Sequence, residues 1–451
     1  MSTALIILAA GQGTRMNSDL PKVLHKIAGA PMLVHAIRSG EVLEPSRLVV
    51  VTGHGGEAVA AAATAYQPMA EIAVQSEQKG TAHAVAQART ALDGFDGDAI
   101  VLYGDTPFIQ PETLEKMQAA RQAHDIVVLG FEAADPGRYG RLVMDGEKLE
   151  RIVEFKDATD EERQITLCNS GVVAARADLL FDLIDGVGND NASGEYYLTD
   201  IVGLARSRGL SAGAVTCDEA ETLGINSRPE LARAEAKFQN RARAEALENG
   251  VTLAAPDTVF FAFDTVIGRD TEVEQNVVFG PDVTVESGAH IRAFSHLEGC
   301  HVSRGATVGP YARLRPGAEL SEDVKVGNFV EIKAARLDRG AKVSHLSYVG
   351  DAEVGEDANL GAGTVTCNYD GVMKHQTRIG ARAFIGSSTM LVAPVSVGDD
   401  AMTGSGSVIT EDVEPGALAI GRARQVTKPG LARRLFEMLK QQKAKRDKGA
   451  Q

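Results

Sequence analysis

The sequence predicts two architectures in series, an α/β doubly wound domain followed by a parallel β-helix of hexapeptide repeats. Two patterns carry this prediction. From Met1 to about Asn226, strand-like apolar runs alternate with helical segments, as they do in βαβ units. From about Ile267 to Glu414, aliphatic residues recur at a spacing of six, which fits neither a helix nor a lone alternating strand. Such a period is typical of coils whose short strands turn corners and stack on one another.

In the first part, the predicted strands are apolar throughout, which indicates burial on both faces of a sheet. They read ALIILAA (4–10), RLVVVTG (47–53), EIAVQ (71–75), AIVLYGD (99–105) and DIVVLGF (125–131). Helical patterns such as PMLVHAIRSG and GTAHAVAQARTAL lie between them. Ligands of such folds bind beyond the carboxyl ends of the strands, so the residues that follow these runs are candidate binding residues.

The composition is that of an ordinary soluble protein, with 44% hydrophobic and 24% charged residues. A formal net charge of −15 argues against nucleic acid as a partner, but it allows phosphorylated small molecules held by local cations. The four cysteines stand far apart without a CxxC pair, which indicates reduced thiols and a cytoplasmic protein. No apolar run reaches membrane length, and the N-terminal run breaks too early for a signal peptide.

A glycine-rich turn follows the first strand in LAAGQGTRM (8–16) and leads into NSDLPKVL (17–24). A dinucleotide fingerprint would need glycine where Met16 stands, and a Walker A loop would need Lys-Ser/Thr after its last glycine. Backbone N–H groups of this turn, together with Arg15 and Lys22, can bind phosphates. By spacing alone, an ordinary tight turn with surface cations explains the stretch equally well.

These residues resemble the signature of nucleotidyltransferases that act on sugar 1-phosphates. From residue 4 to about 425, the chain resembles the bifunctional N-acetylglucosamine-1-phosphate uridylyltransferase/glucosamine-1-phosphate N-acetyltransferase family. The resemblance implies a left-handed β-helix and attack of the sugar phosphate on the α-phosphorus of UTP, with release of pyrophosphate. It implies that Arg15 and Lys22 stabilise the triphosphate and its transition state. Position 12 is Gln, where some members of the family carry Lys, so we assign it no charge role. The resemblance also implies a uridine nucleotide site lined by Leu8, Ala9, Ala10, Gly11, Lys22, Gln75, Gly80, Thr81, Tyr103 and Gly104.

Asp105 follows a buried strand in AIVLYGDTP, where a carboxylate either binds a cation or caps a helix. The chemistry of the residue alone fits both interpretations. The resemblance makes Asp105 one Mg²⁺ ligand and Asn226, in LGINSR, the other. From GEYYLTD (194–200) we expect only a structural role. The residues implied to hold the N-acetylglucosamine moiety are Gly140, Glu154 and Asn169.

Residues 226–250 read as one long helix, with Ser227 as a candidate N-cap, Pro229 in the first turn and Gly250 at the end. A helix that is polar on most faces connects domains rather than filling a core. We therefore predict four segments: a uridylyltransferase domain (1–226), a linker helix (227–250), a β-helix acetyltransferase domain (251–425) and a basic C-terminal helix and tail (426–451).

The hexapeptide positions define the predicted interior of the β-helix. They are Ile267, Val273, Phe279, Val285, Ile291, Leu297, Val302, Val308, Leu314, Leu320, Val326, Ile332, Leu337, Val343, Val349, Val354, Leu360, Ile379, Ile385, Leu391, Val397, Thr403 and Ile409. A β-sandwich of short strands is the alternative, which so many in-phase repeats disfavour. The phase breaks at a loop over 366–378, and insertions in solenoids often lie at the binding site.

For this domain the resemblance implies a homotrimer that uses acetyl-CoA. Arg315 and Lys333 are expected to clamp the phosphate of glucosamine 1-phosphate. His345 is expected to act as general base on the substrate amine as that amine attacks the thioester, because imidazole titrates near neutral pH. The remaining implied contacts are Tyr348 and Asn359 with the amino sugar, and Ala362, Asn368, Tyr369, Ser387, Ser405 and Arg422 with acetyl-CoA.

The leading hypothesis is a two-site enzyme that acetylates glucosamine 1-phosphate and couples the product to UTP, giving UDP-N-acetylglucosamine. One alternative is a single-activity sugar-1-phosphate nucleotidyltransferase whose β-helix serves assembly or regulation. Another makes the repeat a trimerisation scaffold. The set that discriminates among them is Arg315, Lys333, His345, Tyr348 and Asn368, because a purely structural β-helix does not need to gather these side chains.

Overall fold

The structure, a computed structural model, describes residues 2–11, 13–53 and 56–449. Gln12 and the last two residues of the predicted tail lie outside this range. The chain divides into two compact units. Unit 1 consists of Met1–Glu248, Phe260–Thr265 and Phe279–Pro281, and unit 2 of Asn249–Val259, Val266–Val278 and Asp282–Gln451. An α/β architecture in unit 1 and a parallel β-helix in unit 2 confirm the predicted fold class.

Unit 1 is built around a mixed β-sheet. Its strands are β1 (Ser2–Ala9), β2 (Lys26–Ile27), β3 (Ala30–Pro31), β4 (Arg47–Thr52), β5 (Glu71–Val74), β6 (Gly97–Tyr103), β7 (Ile126–Glu132), β8 (Arg141–Asp145), β9 (Lys148–Val153), β10 (Leu167–Arg176) and β11 (Ala212–Cys217). The main sheet has the order β11-β7-β10-β6-β1-β4-β5, and β1 lies parallel to both of its neighbours. Strands β2 and β3 form a separate pair.

The central strand β1 shows why the predicted strands are apolar at every position. Ala4, Ile6 and Leu8 pack into one hydrophobic cluster, whereas Leu5 and Ile7 pack into another. All five side chains are buried. Because successive side chains of a strand point to opposite faces, a strand that is covered on both faces must be apolar throughout.

Strand β10 departs from the parallel pattern. It runs antiparallel between β6 and β7, and its register shifts at a bulge between Asn169 and Val173. The β8–β9 hairpin joins the sheet through a pairing of Arg141 with Cys168. The sequence did not predict this strand, because Asn169, Ser170 and Gly171 interrupt its apolar run. At this interruption the polar Asn169 pairs with Gly130 of β7, and it lines a small cavity together with Tyr103, the last residue of β6.

The first six helices of unit 1 cover both faces of the sheet, and the seventh packs in a separate cluster. They are α1 (Met32–Gly40), α2 (Glu57–Tyr66), α3 (Thr81–Ala86), α4 (Pro111–Ala120), α5 (Ala177–Ile184), α6 (Asp200–Ser207) and α7 (Arg228–Glu248). Helix α7 matches the predicted linker helix, and it also packs Phe238 against Met32 and Phe108 of unit 1. Its buried Gln239 amide donates to the backbone oxygen of Phe261 at 2.8 Å. A narrow buried stripe is therefore present on a helix that is otherwise polar.

Unit 2 is a coil of very short strands. One sheet contains Thr252–Leu253, Glu272–Val273, His290–Ile291, Thr307–Val308, Lys325–Asn328, Lys342–His345, Asn359–Leu360, Phe384–Ile385, Met402–Thr403 and Leu418–Ala419. The other contains Val266–Ile267, Val278–Phe279, Val283–Val285, His296–Leu297, Cys300–Val302, Arg313–Leu314, Ala318–Leu320, Glu331–Leu337, Tyr348–Val354, Val365–Cys367, Thr377–Ile379, Met390–Val392, Val395–Val397 and Val408–Ile409. Successive coils pair in parallel, for example Val326 with Val343.

The predicted hexapeptide positions form the interior of the β-helix. All of them are buried except Ile267, which is partly buried at the first coil. Thr403, the one polar residue among them, is also buried, and its hydroxyl accepts a hydrogen bond from the backbone N–H of Gly386 at 2.9 Å. After the β-helix, a helix runs over Leu431–Gly449, and its side chains from Ala432 to Arg446 are exposed. Within the described ranges, no helix is both long and apolar enough to cross a membrane.

Candidate active sites

A cleft of about 330 Å³ opens in unit 1 where β1 and β6 end. The predicted residues that line it are Leu8, Ala9, Ala10, Gly11, Lys22, Gln75, Gly80, Thr81, Tyr103 and Asp105. They come from four separate stretches of the sequence, and they meet because β1, β4, β5 and β6 are neighbours in the sheet. This is the edge at which parallel α/β sheets bind ligands.

At the end of this cleft, Lys22 contacts both predicted metal-binding residues. Its ammonium group forms an ion pair with Asp105 and donates to the amide oxygen of Asn226 at 3.0 Å. Asn226 is itself held by Glu230, whose carboxylate accepts from the Asn226 backbone N–H at 2.7 Å. Two side-chain oxygens from distant parts of the chain thus face one cation. Both are of the oxygen type that a small divalent ion accepts as a ligand.

The glycine-rich turn is shaped to let Lys22 approach. Gly13 has a φ of +64°, and a Cβ at this position would lie 2.5 Å from the Cβ of Lys22. Any larger residue at position 13 would displace the lysine. Arg15, the other predicted phosphate-binding cation, is exposed on the short helical turn Thr14–Met16. The structure therefore brings Lys22 to Asp105 and leaves Arg15 facing solvent.

Two glutamines organise the other end of the cleft. Gln75 is buried, and its amide donates to the backbone oxygen of Gly80 at 3.2 Å. Gln78, which sequence reasoning missed although it lies in the QSEQKGTAHAV motif, donates to the backbone oxygen of Ala10 at 2.7 Å. Gln78 also lines the cleft. Together they tie the motif to the turn after β1, so both walls of the cleft are fixed relative to each other.

The three predicted sugar-binding residues lie together. The Asn169 backbone N–H donates to the backbone oxygen of Gly140 at 2.8 Å, and Glu154 packs against Gly140. Burial raises the pKa of Glu154, and the neighbouring Asp200 raises it further. The hydroxyl of Thr199 donates to the Glu154 carboxylate at 3.5 Å. Sequence reasoning missed Thr199, because GEYYLTD offered no chemical pattern of its own.

Arg141 stabilises the loop that leads to Gly140. It is fully buried, and its guanidinium donates to the backbone oxygens of Pro136 and Gly137, at 3.3 and 3.2 Å, and to that of Tyr139. These contacts fix the loop that ends at Gly140. The sequence signal was the position of Arg141 directly after Gly140 in GRYGRLV.

In unit 2, His345 belongs to a column at one corner of the β-helix. The residues of this column, one from each successive coil, are Asn328, His345, Ala362, Ser387 and Ser405. The residue directly after each column position donates its backbone N–H to the backbone oxygen of the column residue one coil earlier, at 2.7 to 3.1 Å. Leu346, for example, donates to Asn328. The predicted general base and three predicted acetyl-CoA contacts therefore share one corner. Arg422 extends the column, because its Cδ lies 3.7 Å from the Cβ position of Gly406.

Asn328 orients His345. Its amide oxygen lies 2.6 Å from Nδ1 of His345. Because an amide oxygen only accepts hydrogen bonds, Nδ1 carries the proton and Nε2 is left to accept one. Sequence reasoning missed Asn328, although a usable signal exists. Residues that lie one coil apart share a corner, and Asn328 precedes His345 by one coil.

A charged cluster lies on the adjacent sheet. The guanidinium of Arg315 donates to Glu331 at 2.8 Å, and this contact raises the pKa of Arg315. Lys333 lies 3.6 Å from Asp351, which also accepts a hydrogen bond from Asn368. Three predicted substrate-binding residues are thus brought together by two carboxylates, Glu331 and Asp351, that sequence reasoning did not select.

The loop that interrupts the repeat lies beside this cluster. The amide of Asn368 donates to the hydroxyl of Tyr348 at 3.4 Å, and Tyr369 bridges to Lys374 across the loop. Lys333 lowers the pKa of Lys374, so two cations converge there. Asp370 binds His375 at 2.7 Å, which contributes to lowering the Asp370 pKa to about 2.

Asn359 lies apart from this cluster. It stands on the other sheet, in register between Lys342 and Phe384. Lys333 and Tyr348 are carried by the sheet that contains Glu331–Leu337 and Tyr348–Val354. The predicted contact of Asn359 with the amino sugar therefore stays a prediction.

Comparison with known proteins finds separate matches for the two units. Residues 5–167 match the MobA-like NTP transferase domain, and residues 376–411 match the hexapeptide repeat of succinyl-transferase. The bifunctional protein GlmU of Ruegeria sp. (strain TM1040) is 69% identical over 449 residues, covering 100% of both chains. Its counterpart in Cereibacter sphaeroides is 71% identical over 449 residues, covering 100% of this chain and 99% of that one. The chain belongs to the GlmU family.

Membership of the GlmU family confirms the family predicted from the motifs. It makes the chain a bifunctional enzyme of the transferase class. The nucleotidyltransferase match falls in unit 1 and the hexapeptide match in unit 2. Each unit of this GlmU family member therefore holds one candidate active site.

Proposed function

We propose that the two units catalyse consecutive steps in the synthesis of UDP-N-acetylglucosamine. Unit 2 transfers the acetyl group of acetyl-CoA to the amine of glucosamine 1-phosphate. Unit 1 then transfers the uridylyl group of UTP to N-acetylglucosamine 1-phosphate and releases pyrophosphate. One observation carries the proposal: each unit gathers its own cluster of charged and polar side chains from distant parts of the sequence. The product feeds peptidoglycan and lipopolysaccharide synthesis, and we assign the enzyme to the cytoplasm.

In acetyl transfer, His345 is the general base. Nε2 takes a proton from the amine of glucosamine 1-phosphate while that amine attacks the thioester carbonyl. The thiolate of coenzyme A leaves, and the amide remains on the sugar. Asn328 holds the imidazole in the tautomer that this step needs, through its 2.6 Å contact with Nδ1. His345 is exposed at its corner, so the substrate can reach it.

The cationic cluster beside this corner suits the sugar phosphate. Arg315 offers a planar fork for two phosphate oxygens, whereas Lys333 acts as a point charge. Lys374 adds a third cation to the same place. Tyr348 and Asn368 supply hydrogen-bonding groups for the amino sugar and the acetyl group. We assign acetyl-CoA to the column, with contacts from Ala362, Ser387 and Ser405 and from Arg422, which extends it. Asn368 and Tyr369 would add contacts from the neighbouring loop.

In uridylyl transfer, no nucleophilic side chain is needed, because the sugar phosphate itself attacks the α-phosphorus. Lys22 and Arg15 stabilise negative charge on the triphosphate in the transition state. Gln75 reads the uracil edge with an amide that can both donate and accept. Gly140, Glu154 and Asn169 bind the hydroxyl and amide groups of the sugar. Catalysis then rests on positioning and charge neutralisation.

Mg²⁺ suits the donor set in unit 1. Asp105 and Asn226 present a carboxylate and an amide oxygen to the same point, which Lys22 marks with its ammonium group. Over the described ranges, no three His, Cys, Asp or Glu side chains gather as a metal cage. Mg²⁺ keeps several waters and binds substrate phosphates, so it can be held by few protein oxygens. When bound, Mg²⁺ would neutralise phosphate charge and favour departure of pyrophosphate.

We also propose that the enzyme is a homotrimer. A stack of aromatic rings runs along unit 2. The ring centroids of Phe294 and Tyr311 are 4.8 Å apart, and those of Tyr311 and Phe329 are 5.2 Å apart. These rings are about half exposed, and the exposed Leu346, next to His345, continues the aromatic stack. A contiguous apolar surface of this kind indicates a protein contact. Trimer formation would cover it and would bring a second copy close to His345.

The proposal is tested by measuring both reactions on the same preparation. Thiol release from acetyl-CoA should depend on glucosamine 1-phosphate, and pyrophosphate release should depend on N-acetylglucosamine 1-phosphate and UTP. We expect turnover with UTP to exceed that with ATP, GTP or dTTP. If acetyl-CoA gives no thiol release, unit 2 is a scaffold and the bifunctional proposal is wrong.

A substitution at Asp105 separates the two reactions. Asp105→Asn removes a charged ligand from the metal position, so we expect Mg²⁺-dependent pyrophosphate release to fall by at least about 100-fold. Acetyl transfer should be unchanged, because Asp105 lies in unit 1. The exposed Asp93→Asn is the matched control and should leave both rates unchanged. Unchanged pyrophosphate release in Asp105→Asn would remove Asp105 from the mechanism.

A further inference from the structure

The segment Tyr196–Asp200 is bonded directly to the loop that carries Gly80 and Thr81. The Tyr196 backbone N–H donates to the Lys79 backbone oxygen at 2.8 Å, and the Ala82 N–H donates to the Tyr196 oxygen at 3.0 Å. The backbone N–H of Leu198 donates to the hydroxyl of Thr81 at 2.9 Å. Three hydrogen bonds thus join two segments that are more than 100 residues apart in the sequence.

The junction is tightly packed. Gly80 has a φ of +114°, and a Cβ at this position would lie 2.5 Å from the backbone oxygen of Tyr196. Leu198 is buried in the core cluster beneath the junction. A displacement of the loop at Gly80 and Thr81 would therefore move the segment as well, because the Gly80 backbone lies directly against that of Tyr196 and three hydrogen bonds join the two segments.

The junction touches both halves of the proposed uridylyltransferase site. On the nucleotide side, the Gln75 amide donates to the Gly80 backbone oxygen at 3.2 Å. On the sugar side, the Thr199 hydroxyl donates to the Glu154 carboxylate at 3.5 Å. Thr199 also lines the small cavity between Tyr103 and Asn169. A continuous path of contacts runs from the uracil end to the sugar end.

We infer that Thr199 is a positioning residue that couples nucleotide binding to sugar phosphate binding, through Leu198, Thr81 and Glu154. This inference rests on the proposed function of unit 1. Nucleotide contacts at Gly80 and Thr81 hold the segment in place, and Thr199 then holds the Glu154 carboxylate toward the sugar. By linkage, the sugar phosphate strengthens nucleotide binding by the same factor.

Calorimetry tests the coupling. The dissociation constant of N-acetylglucosamine 1-phosphate is measured alone and with a saturating UTP analogue whose α,β-bridge oxygen is replaced by methylene. In the unmodified enzyme we expect about five- to tenfold tighter binding with the analogue. Thr199→Val keeps the shape of the side chain but removes the donor, so most of this gain should be lost. Thr199→Ser should retain it.

Thr64→Val is the matched control, since Thr64 is exposed on α2 and bonds only to its own helix turn at 2.9 Å to Ala60. This variant should behave like the unmodified enzyme. Equal coupling in Thr199→Val, or no coupling in the unmodified enzyme, overturns the inference. If the unmodified enzyme binds neither ligand and releases no pyrophosphate, the proposed function itself fails, which is a separate result.

A pH series gives a readout that a merely structural role would not move. The Thr199 hydrogen bond lowers the pKa of Glu154 and partly offsets the effects of burial, Asp157 and Asp200, while Tyr103 and Tyr197 also face this carboxylate. Losing the hydroxyl therefore raises the Glu154 pKa. The pH below which sugar phosphate binding weakens should move upward in Thr199→Val and stay in place in Thr64→Val. An unshifted profile counts against the inference.

Discussion

At the scale of single residues, the contact between His345 and Asn328 has the most direct consequence for chemistry. An imidazole can present either nitrogen as the acceptor, and the group bound to the other nitrogen decides which one. The amide oxygen of Asn328 lies 2.6 Å from Nδ1. Nε2 is therefore the nitrogen left to accept a proton, as the proposed general base requires.

We expect His345→Ala to lower acetyl transfer by about 100- to 10,000-fold, the usual contribution of a general base. Asn328→Ala should lower it by about tenfold, because the histidine remains but its orientation is no longer fixed. Thiol release from acetyl-CoA measures both. His290→Ala, at an exposed histidine paired with Glu272, is the control and should retain full activity. Intact acetyl transfer in His345→Ala would exclude the mechanism proposed for unit 2.

Glu154 leads to a prediction about stability and pH. Burial raises its pKa in the folded protein above that of the unfolded chain. Its stabilising contribution is therefore complete below the unfolded pKa and is lost as the pH rises through the folded pKa. Glutamine does not titrate, so Glu154→Gln should gain thermal stability relative to the unmodified protein as the pH rises from about 4 to neutral. Melting temperatures across this range measure the difference. A constant difference would contradict the prediction.

At the scale of elements, stacking of coils determines which residues meet in unit 2. Lys333 pairs in register with Gly350, and Glu331 with Tyr348. Each coil contacts mainly its two neighbours, so stability is close to a sum of local terms. A defect in one coil should consequently weaken unit 2 without altering the core of unit 1.

Leu297 provides the test, because it is completely buried in a coil that contributes none of the proposed site residues. We expect Leu297→Ala to lower the free energy of unfolding of unit 2 by about 2–5 kcal/mol, the usual effect of truncating a buried leucine. Denaturant unfolding measures this. The neighbouring His296→Ala is the control, because His296 is exposed and should change stability little. Equal effects of the two substitutions would argue against the assigned interior.

In unit 1, individual strands and helices show why some predictions from the sequence were less accurate than others. Strands β1, β4 and β6 were predicted because their apolar runs are continuous. Strand β10 was not, because polar residues and a bulge interrupt it. Helix α7 was predicted as a linker from its polar composition, yet Phe238 and Gln239 are buried in unit 1. A narrow buried stripe leaves only a weak trace in the composition of a long helix.

At the scale of the whole molecule, the proposed trimer can be tested by removing the exposed aromatic stack. Tyr311→Ser combined with Phe329→Ser removes the ring stack from the surface without touching the interior. We expect light scattering to show a fall from about three times the chain mass of 47.6 kDa toward the single chain. Acetyl transfer should fall with it, and uridylyl transfer should persist.

Replacing Leu247, an exposed leucine of α7, with serine gives the matched control and should leave the mass unchanged. A trimer that survives loss of the aromatic stack would show that another surface holds the copies together. A single chain in the unmodified protein would contradict the trimer proposal directly.

The sequence alone determined the architecture and predicted the residues of both candidate sites. Apolar runs and hexapeptide positions report burial locally, because a side chain's polarity must match the face on which it lies. Motif residues such as Asp105 and His345 were found in the same way, from short stretches and their resemblance to a family.

Only the tertiary structure decided which side chains meet. Asn328 touches His345, Asp351 lies between Lys333 and Asn368, and Thr199 reaches Glu154. Each of these contacts depends on strand order or coil register, which sets the neighbours of residues that are distant in the chain. Local patterns record whether a residue is buried, but not which distant residue it contacts. For that physical reason the sequence could predict where both candidate sites lie, and only the fold showed the contacts that join their residues.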